Sequence, residues 1–176
     1  MSAPLNETQI LERLNQTPST RGFFIAAVDI FDQMIDLLMQ RIFRKDNFAV
    51  QSVVDPLLHD SGPLGDTIVR LKLLYGLGVI SDTNYHDITT FIQIRNQLNR
   101  DGADHSFSDP TLFASIRLLH LSHPLKTPSF NQLQKYQDVD TEWSQWQERR
   151  QQQIIRSTLS LGIVEICCDL DRESPF

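Results

Sequence analysis

Hydrophobic residues recur at intervals of three and four along most of the chain, the spacing of amphipathic and buried α-helices. The longest such run in the first half lies between Thr20 and Phe43, and its apolar positions are Phe24, Val28, Phe31, Ile35, Leu38 and Ile42. A shorter stretch, Gly62 to Ile80, is apolar most of the way round and is expected to pack on several sides. No alternating strand pattern of useful length accompanies them. The pattern therefore predicts an all-α fold.

Residues that begin and end helices divide this pattern into about seven helices. The predicted N-caps are Asn6, Asp46, Asp66, Ser81 and either Ser108 or Asp109. The last predicted helix is also the longest, from about Asn131 to Leu170, and a break near residues 138–140 can interrupt it. We therefore expect one helical bundle over residues 1–176 with a long C-terminal helix.

The composition of the chain limits its possible functions more than it limits its possible folds. The chain has 176 residues, enough for one core, and its formal net charge is -6, with 16 Lys and Arg against 22 Asp and Glu. A negative surface repels the phosphates of nucleic acid, so direct nucleic-acid binding is disfavoured. The two cysteines, Cys167 and Cys168, are adjacent and are expected to be reduced thiols. No apolar run is long enough to span a membrane, so we expect a cytoplasmic protein.

Motifs for catalysis or cofactor binding are missing from the sequence. His120 and His123 form an H-x-x-H pair without a third ligand at fixed spacing. Asp29, Asp32 and Asp36 share one helix face, but no histidine joins them, so a solvated acidic stripe is the better interpretation. We expect no metal, no cofactor and no enzyme activity.

A helix-turn-helix motif is the obvious test for a DNA-binding protein, and the two helices around Gly76 and Gly78 are the candidates. A recognition helix needs cationic or amide side chains at its leading end. Here the second helix begins with Asp82 and carries Asp87 one turn later, which would repel phosphates. A packing hairpin is the better interpretation.

Several longer blocks resemble a known family. These blocks are FRKDNFAV (43–50), DPLL (55–58), SGPLGD (61–66), VRLKLLYGLGVI (69–80) and RSTLSL (156–161). Together they closely resemble the mannitol operon repressor family of bacteria. The resemblance implies a cytoplasmic, all-helical protein that lowers expression of genes for mannitol uptake and oxidation. Because the charge and the failed motif test argue against direct DNA reading, we expect repression through a protein partner, a component of sugar transport or of the transcription machinery.

A second, local resemblance supports an alternative. IRNQLNRDG (94–102) is similar to the arginine-asparagine stretch of HEPN-type helical domains, in which an arginine and a histidine cleave RNA. Arg95 and Asn96 fit that pattern, but Arg100 stands at the histidine position and cannot act as a general base. His105 lies beyond the predicted helix end. The resemblance thus implies an RNA-processing domain without activity.

Arg95 also has a structural interpretation, an ion pair across the hairpin with an acid such as Asp66 or Asp87. The two tryptophans, Trp143 and Trp146, have two interpretations as well. They anchor a homodimer interface, or they are buried within the monomer.

The predicted partner-binding surface combines cations with the glycine-rich loop before the central helix, where the residues are more specific than packing requires. Its members are Arg44, Lys45, Gly62, Pro63, Gly65, Asp66 and Arg70. Three functions remain open at this point: a repressor that binds a protein partner, a repressor that binds DNA through a non-standard surface, and an inactive HEPN-like domain.

Overall fold

The computed structural model describes residues 5–43, 48–59, 61–126 and 141–172, and these form seven α-helices, one 3₁₀-helix and no strand. The α-helices are α1 (Glu7–Asn15), α2 (Thr20–Ile42), α3 (Phe48–Leu58), α4 (Thr67–Gly76), α5 (Asp82–Asp101), α6 (Pro110–Ile116) and α7 (Thr141–Arg172). The 3₁₀-helix spans His120–Lys126. The predicted all-α class and the long C-terminal helix are confirmed.

Polar side chains begin most of these helices, because the first N–H groups of a helix have no partner within it. Asn6, Asp66, Ser81 and Asp109 each accept a hydrogen bond from a backbone N–H in the first turn of the helix that follows. These four predicted caps are confirmed. Asp46, the remaining predicted cap, lies outside the described residues.

Helix α2 is the central element, and α1, α4, α5 and α7 all pack against it. An aromatic cluster joins α2 to α5 and to the loop that follows α5. Phe24 lies 5.6 Å from Phe91 and 6.1 Å from Phe107 between ring centroids, and Phe31 lies 5.3 Å from Phe91. All four rings are buried. The largest predicted core helix is therefore the centre of the bundle.

Two other predicted faces are wrong in part. Helix α4 was expected to be packed on several sides, but it buries mainly Leu71 and Leu74 among its apolar residues, and Ile68 and Tyr75 are 38% and 39% exposed. The spacing of the valines in α3 predicts that Val53 faces inward, but its side chain is 64% exposed. Helix α4 packs against α2 and α5, and its remaining side is left open. An apolar pattern does not reveal how many neighbours a helix has.

The final helix α7 has two unlike halves. Its second half is buried through residues such as Ile155, Leu159, Ile163 and Leu170, whereas Trp143 and Trp146 are 52% and 49% exposed. Burial of both tryptophans within the monomer is therefore wrong. Residues 127–140, where the prediction began this helix and placed a break, lie outside the described residues. None of the described helices is both long and apolar enough to cross a bilayer.

Candidate partner-binding surface

Arg70 lies beneath the loop between α3 and α4, not on its surface. Its side chain is buried, and it donates hydrogen bonds to the backbone carbonyls of Leu64 and Leu58, the latter at 2.6 Å. Its Nη1 lies 3.4 Å from Asp36 Oδ1 on α2. The guanidinium thus ties the loop to the core. Since so little of Arg70 reaches solvent, its direct contact with a partner is disfavoured, and its role here is to hold the loop.

Close approach of the backbone explains one of the loop glycines, Gly62. A Cβ atom on Gly62 would lie 2.3 Å from the carbonyl oxygen of Pro56 and 2.6 Å from that of Leu57, so no larger residue fits without a shift of the chain. The Gly65 N–H donates to the Gly62 carbonyl at 3.0 Å. Both glycines therefore shape the loop and offer no side chain to a partner.

Of the residues predicted for this surface, Pro63 and Asp66 are the ones that the loop exposes to solvent. Both residues are exposed, and the Asp66 carboxylate accepts from the Ile68 N–H at 2.8 Å as the cap of α4. Arg44 and Lys45, the predicted cations of this surface, lie outside the described residues.

An exposed apolar face continues from this loop along α4. We call it the loop–α4 surface and define it as Pro63, Asp66, Ile68, Val69, Lys72, Tyr75 and Leu77, all of which are exposed. Ile68, Lys72 and Tyr75 recur at intervals of three to four residues and Val69 lies beside them, so these four share one side of α4, and Leu77 follows at the C-cap. Sequence reasoning missed the apolar part, because it assigned those residues to the core. An apolar face beside polar groups is typical of a protein-binding site.

The far end of this surface is joined to α5 by an aromatic stack. The rings of Tyr75 and Tyr85 lie 4.2 Å apart and nearly parallel, and a hydrogen bond to Asp82 raises the pKa of Tyr75. Asn84, the amide best placed to read a base at the start of α5, is buried and donates to Asp169 at 3.4 Å. Helices α4 and α5 therefore form a packing hairpin.

The HEPN-like residues do not form the predicted ion pair. Arg95 donates from Nε and Nη2 to the side-chain oxygen of its neighbour Asn96, at 3.2 Å and 3.1 Å. The expected pairing of Arg95 with Asp66 or Asp87 is wrong, because both carboxylates accept hydrogen bonds from backbone N–H groups elsewhere. Arg100 is exposed and lines a shallow cavity of about 590 Å³ with Asn96.

His105 lies beyond the end of α5, as predicted, but it folds back onto that helix. Its Nε2 lies 2.6 Å from an Asp101 oxygen, and its Nδ1 lies 3.4 Å from an Asp109 oxygen. These two hydrogen bonds, first that to Asp101, raise the pKa of His105 above its ordinary value. Both ring nitrogens are held by carboxylates, an arrangement that stabilises a charged imidazolium and does not favour a general base.

This geometry predicts a pH dependence of stability. Because the folded-state pKa of His105 is raised, its stabilisation is complete below the ordinary value of 6.5 and is lost as pH rises through the folded-state value. We expect His105→Gln to melt below the unmodified protein just below pH 6.5 and to approach it at alkaline pH. Thermal melting followed by circular dichroism measures this difference. A difference in melting temperature that is constant with pH contradicts the assignment.

The predicted pair His120 and His123 is not the cluster that the fold assembles. His120, at the start of the 3₁₀-helix, lies beside His86 and Asp87 of α5, while His123 is exposed and outside this group. The sequence contains no signal for the cluster, because 33 positions separate His120 from Asp87.

Two proteins of Escherichia coli K12 are similar to this chain over most of its length. The chain is 36% identical to the mannitol operon repressor of Escherichia coli K12, over all of this chain and 90% of that protein. It is also 30% identical to fumarase E of the same strain, over 92% of this chain and 94% of the relative.

Solved structures agree with these sequence relatives. The fold matches a chain from the X-ray structure of the MtlR–HPr complex of Escherichia coli with a TM-score of 0.86 and 38% identity, covering 93% of this chain and 97% of the other. It matches YggD of Shigella flexneri, described as a possible transcriptional regulator, with a TM-score of 0.78 and 27% identity, covering 94% and 99% of the two chains. The family profile described as mannitol repressor matches residues 6–171. The chain therefore belongs to the mannitol repressor family.

Proposed function

We propose that this protein represses a mannitol operon by binding a protein partner in the cytoplasm, and that residues 1–176 act as one domain without catalysis. The observation that carries the proposal is the likeness to the chain solved in the MtlR–HPr complex, at a TM-score of 0.86 over nearly the whole length. That relative binds HPr, which supports HPr as the class of partner for this chain.

The charge of the chain supports the same conclusion. With a net charge of -6 and a buried Asn84 at the start of α5, the chain offers little to attract phosphates or to read bases. A repressor that acts through a second protein needs neither to attract phosphates nor to read bases.

The loop–α4 surface is our proposed docking site. It combines an apolar face with the polar groups Asp66 and Lys72, and Arg70 fixes the loop from below. A rigid loop lowers the entropic cost of binding, since its backbone is already ordered. Arg44 and Lys45 precede α3 and remain predicted contributors to the same surface. A homodimer through Trp143 and Trp146 also remains a prediction.

The second candidate function is enzymatic, and the similarity to fumarase E is the observation that favours it. The higher identity to the mannitol operon repressor, 36% against 30%, favours the repressor. A fumarase assay on the purified chain separates the two, and we expect no turnover above the uncatalysed reaction.

A binding experiment tests the proposed mechanism. We expect the purified chain to bind HPr in calorimetry, and to show no sequence-dependent binding to a labelled fragment of the mannitol operon control region at physiological salt. Val69→Asp should weaken HPr binding at least about tenfold, because it places a charge in the apolar face. Leu118→Asp, at a residue that is 66% exposed in the turn after α6, is the matched control.

Specific DNA binding without HPr binding contradicts the proposed mechanism. Equal weakening by Val69→Asp and Leu118→Asp, with both variants folded, contradicts the proposed docking site and leaves the partner itself in place.

A further inference from the structure

Three side chains from two elements meet beside the 3₁₀-helix. Asp87 and His86 are neighbours on α5, and His120 is the first residue of the 3₁₀-helix. The Nδ1 atoms of His120 and His86 lie 3.0 Å and 3.2 Å from the same oxygen of Asp87, Oδ1. The two imidazole rings meet edge to face with centroids 4.7 Å apart. One potential metal-ligand atom from each of the three residues therefore lies within 4.8 Å of the other two.

The Asp87 carboxylate is buried, and a buried charge needs compensation. Within the described parts of the chain, its ion-pair partners are the two histidines, with no lysine or arginine. A bound cation would supply the permanent positive charge that the site lacks.

The number of hydrogen-bond donors around Asp87 also favours a bound cation. Its Oδ1 is approached by the His120 backbone N–H at 2.8 Å as well as by both imidazole nitrogens, while Oδ2 accepts from the Leu121 N–H at 3.1 Å. One carboxylate oxygen has two lone pairs, so three N–H donors exceed its capacity. The excess of donors disappears when both imidazole Nδ1 atoms are unprotonated. Their lone pairs can then bind a cation that Asp87 Oδ1 also binds.

We propose that His86, Asp87 and His120 form a binding site for a divalent transition metal, with Zn²⁺ as the preferred ion. Two imidazole nitrogens and one carboxylate oxygen are a common zinc ligand set, and tetrahedral ligands at bond lengths of about 2.0–2.1 Å are separated by roughly 3.3 Å. The distances from Asp87 Oδ1 to the Nδ1 atoms of His120 and His86, 3.0 Å and 3.2 Å, are close to this ligand–ligand separation. Both histidines are about half exposed, so an ion has access and the fourth position is left for water.

The metal would clamp α5 to the 3₁₀-helix and, through it, to α7. Leu121 follows His120 directly, and its side chain packs so closely on Gly162 of α7 that a Cβ atom there would lie 2.8 Å from the Leu121 Cβ. Binding of Zn²⁺ is therefore expected to stabilise the whole bundle. This inference is independent of the proposed repressor function.

The test uses the full-length chain, without an affinity tag, after removal of metals with a chelator. In calorimetric titration with ZnCl₂ we expect one ion per chain with low-micromolar or tighter affinity, and a raised melting temperature. His86→Ala and His120→Ala should each weaken binding at least about tenfold. His123→Ala, which removes an exposed histidine outside the cluster, is the matched control and should bind as the unmodified chain does.

Two alternatives are distinguished in the same series. Cys168→Ser removes the more accessible thiol, and loss of Zn²⁺ binding in that variant would place the ion at the cysteines and overturn the proposal. Absence of binding, or unchanged binding in His120→Ala, would overturn it as well. Both histidine substitutions remove half-exposed side chains and keep Asp87, so the variants should remain folded, which circular dichroism verifies.

Discussion

Phe24→Ala is expected to lower the free energy of unfolding by about 3–5 kcal/mol. The Phe24 side chain is fully buried, and its ring lies within contact distance of Phe23, Phe91 and Phe107. Its removal leaves a cavity where α2, α5 and the following loop meet, and rigid neighbours fill such a cavity only in part. Urea unfolding followed by helical circular dichroism measures the loss.

The matched control is Phe48→Ala, the same substitution at a side chain that is 85% exposed. Its free energy of unfolding should lie within about 0.5 kcal/mol of the unmodified protein, since no buried contact is lost. Comparable losses in the two variants would contradict the position of Phe24 at the centre of the bundle.

Arg70→Met is expected to cost about 2–4 kcal/mol of stability and to weaken partner binding. Methionine keeps the length of the side chain but leaves the carbonyls of Leu58 and Leu64 without their donor. The end of α3 and the loop that follows it then lose their connection to α2 through Asp36. Urea unfolding gives the stability, and calorimetry with HPr gives the binding, measured below the melting temperature of the variant.

Arg41→Met removes an arginine from an exposed ion pair and is the appropriate comparison. Arg41 lies 2.6 Å from Asp171, with side chains 35% and 44% exposed, so its loss should cost no more than about 1 kcal/mol. Equal losses of unfolding free energy in Arg70→Met and Arg41→Met would contradict a stabilising role for the buried hydrogen bonds of Arg70. Normal HPr affinity in a folded Arg70→Met chain would argue against a docking role for the loop.

Local features of the fold were predictable from the sequence because they depend on neighbouring residues. The caps Asn6, Ser81 and Asp109 each bond to N–H groups two or three positions later, and the long apolar repeat of α2 reflects a helix that is covered on most sides. Such features need no knowledge of the tertiary structure.

The partners of Arg95 and Asp87 were not predictable for the opposite reason. Asp87 binds residues 33 and 34 positions away, at the start of a 3₁₀-helix that no pattern in the sequence indicates. Arg95 instead bonds to its immediate neighbour, so the expected cross-hairpin pair never forms. The apolar part of the loop–α4 surface was assigned to the core, because hydrophobicity alone does not distinguish a residue that packs inside from one that awaits a partner.

The exposed tryptophan pair gives the protein an unusual optical property. The chain has two tryptophans, and their rings stack 5.1 Å apart near the start of α7, with the Arg150 guanidinium 5.4 Å from the Trp146 ring. Intrinsic fluorescence excited at tryptophan wavelengths therefore reports on this one end of the molecule. Because both rings are about half exposed, we expect the emission of the folded protein to be red-shifted already and to change little when the core melts. A molecule that covers this end of α7, including a second copy of the chain, would shift the emission to the blue without any label.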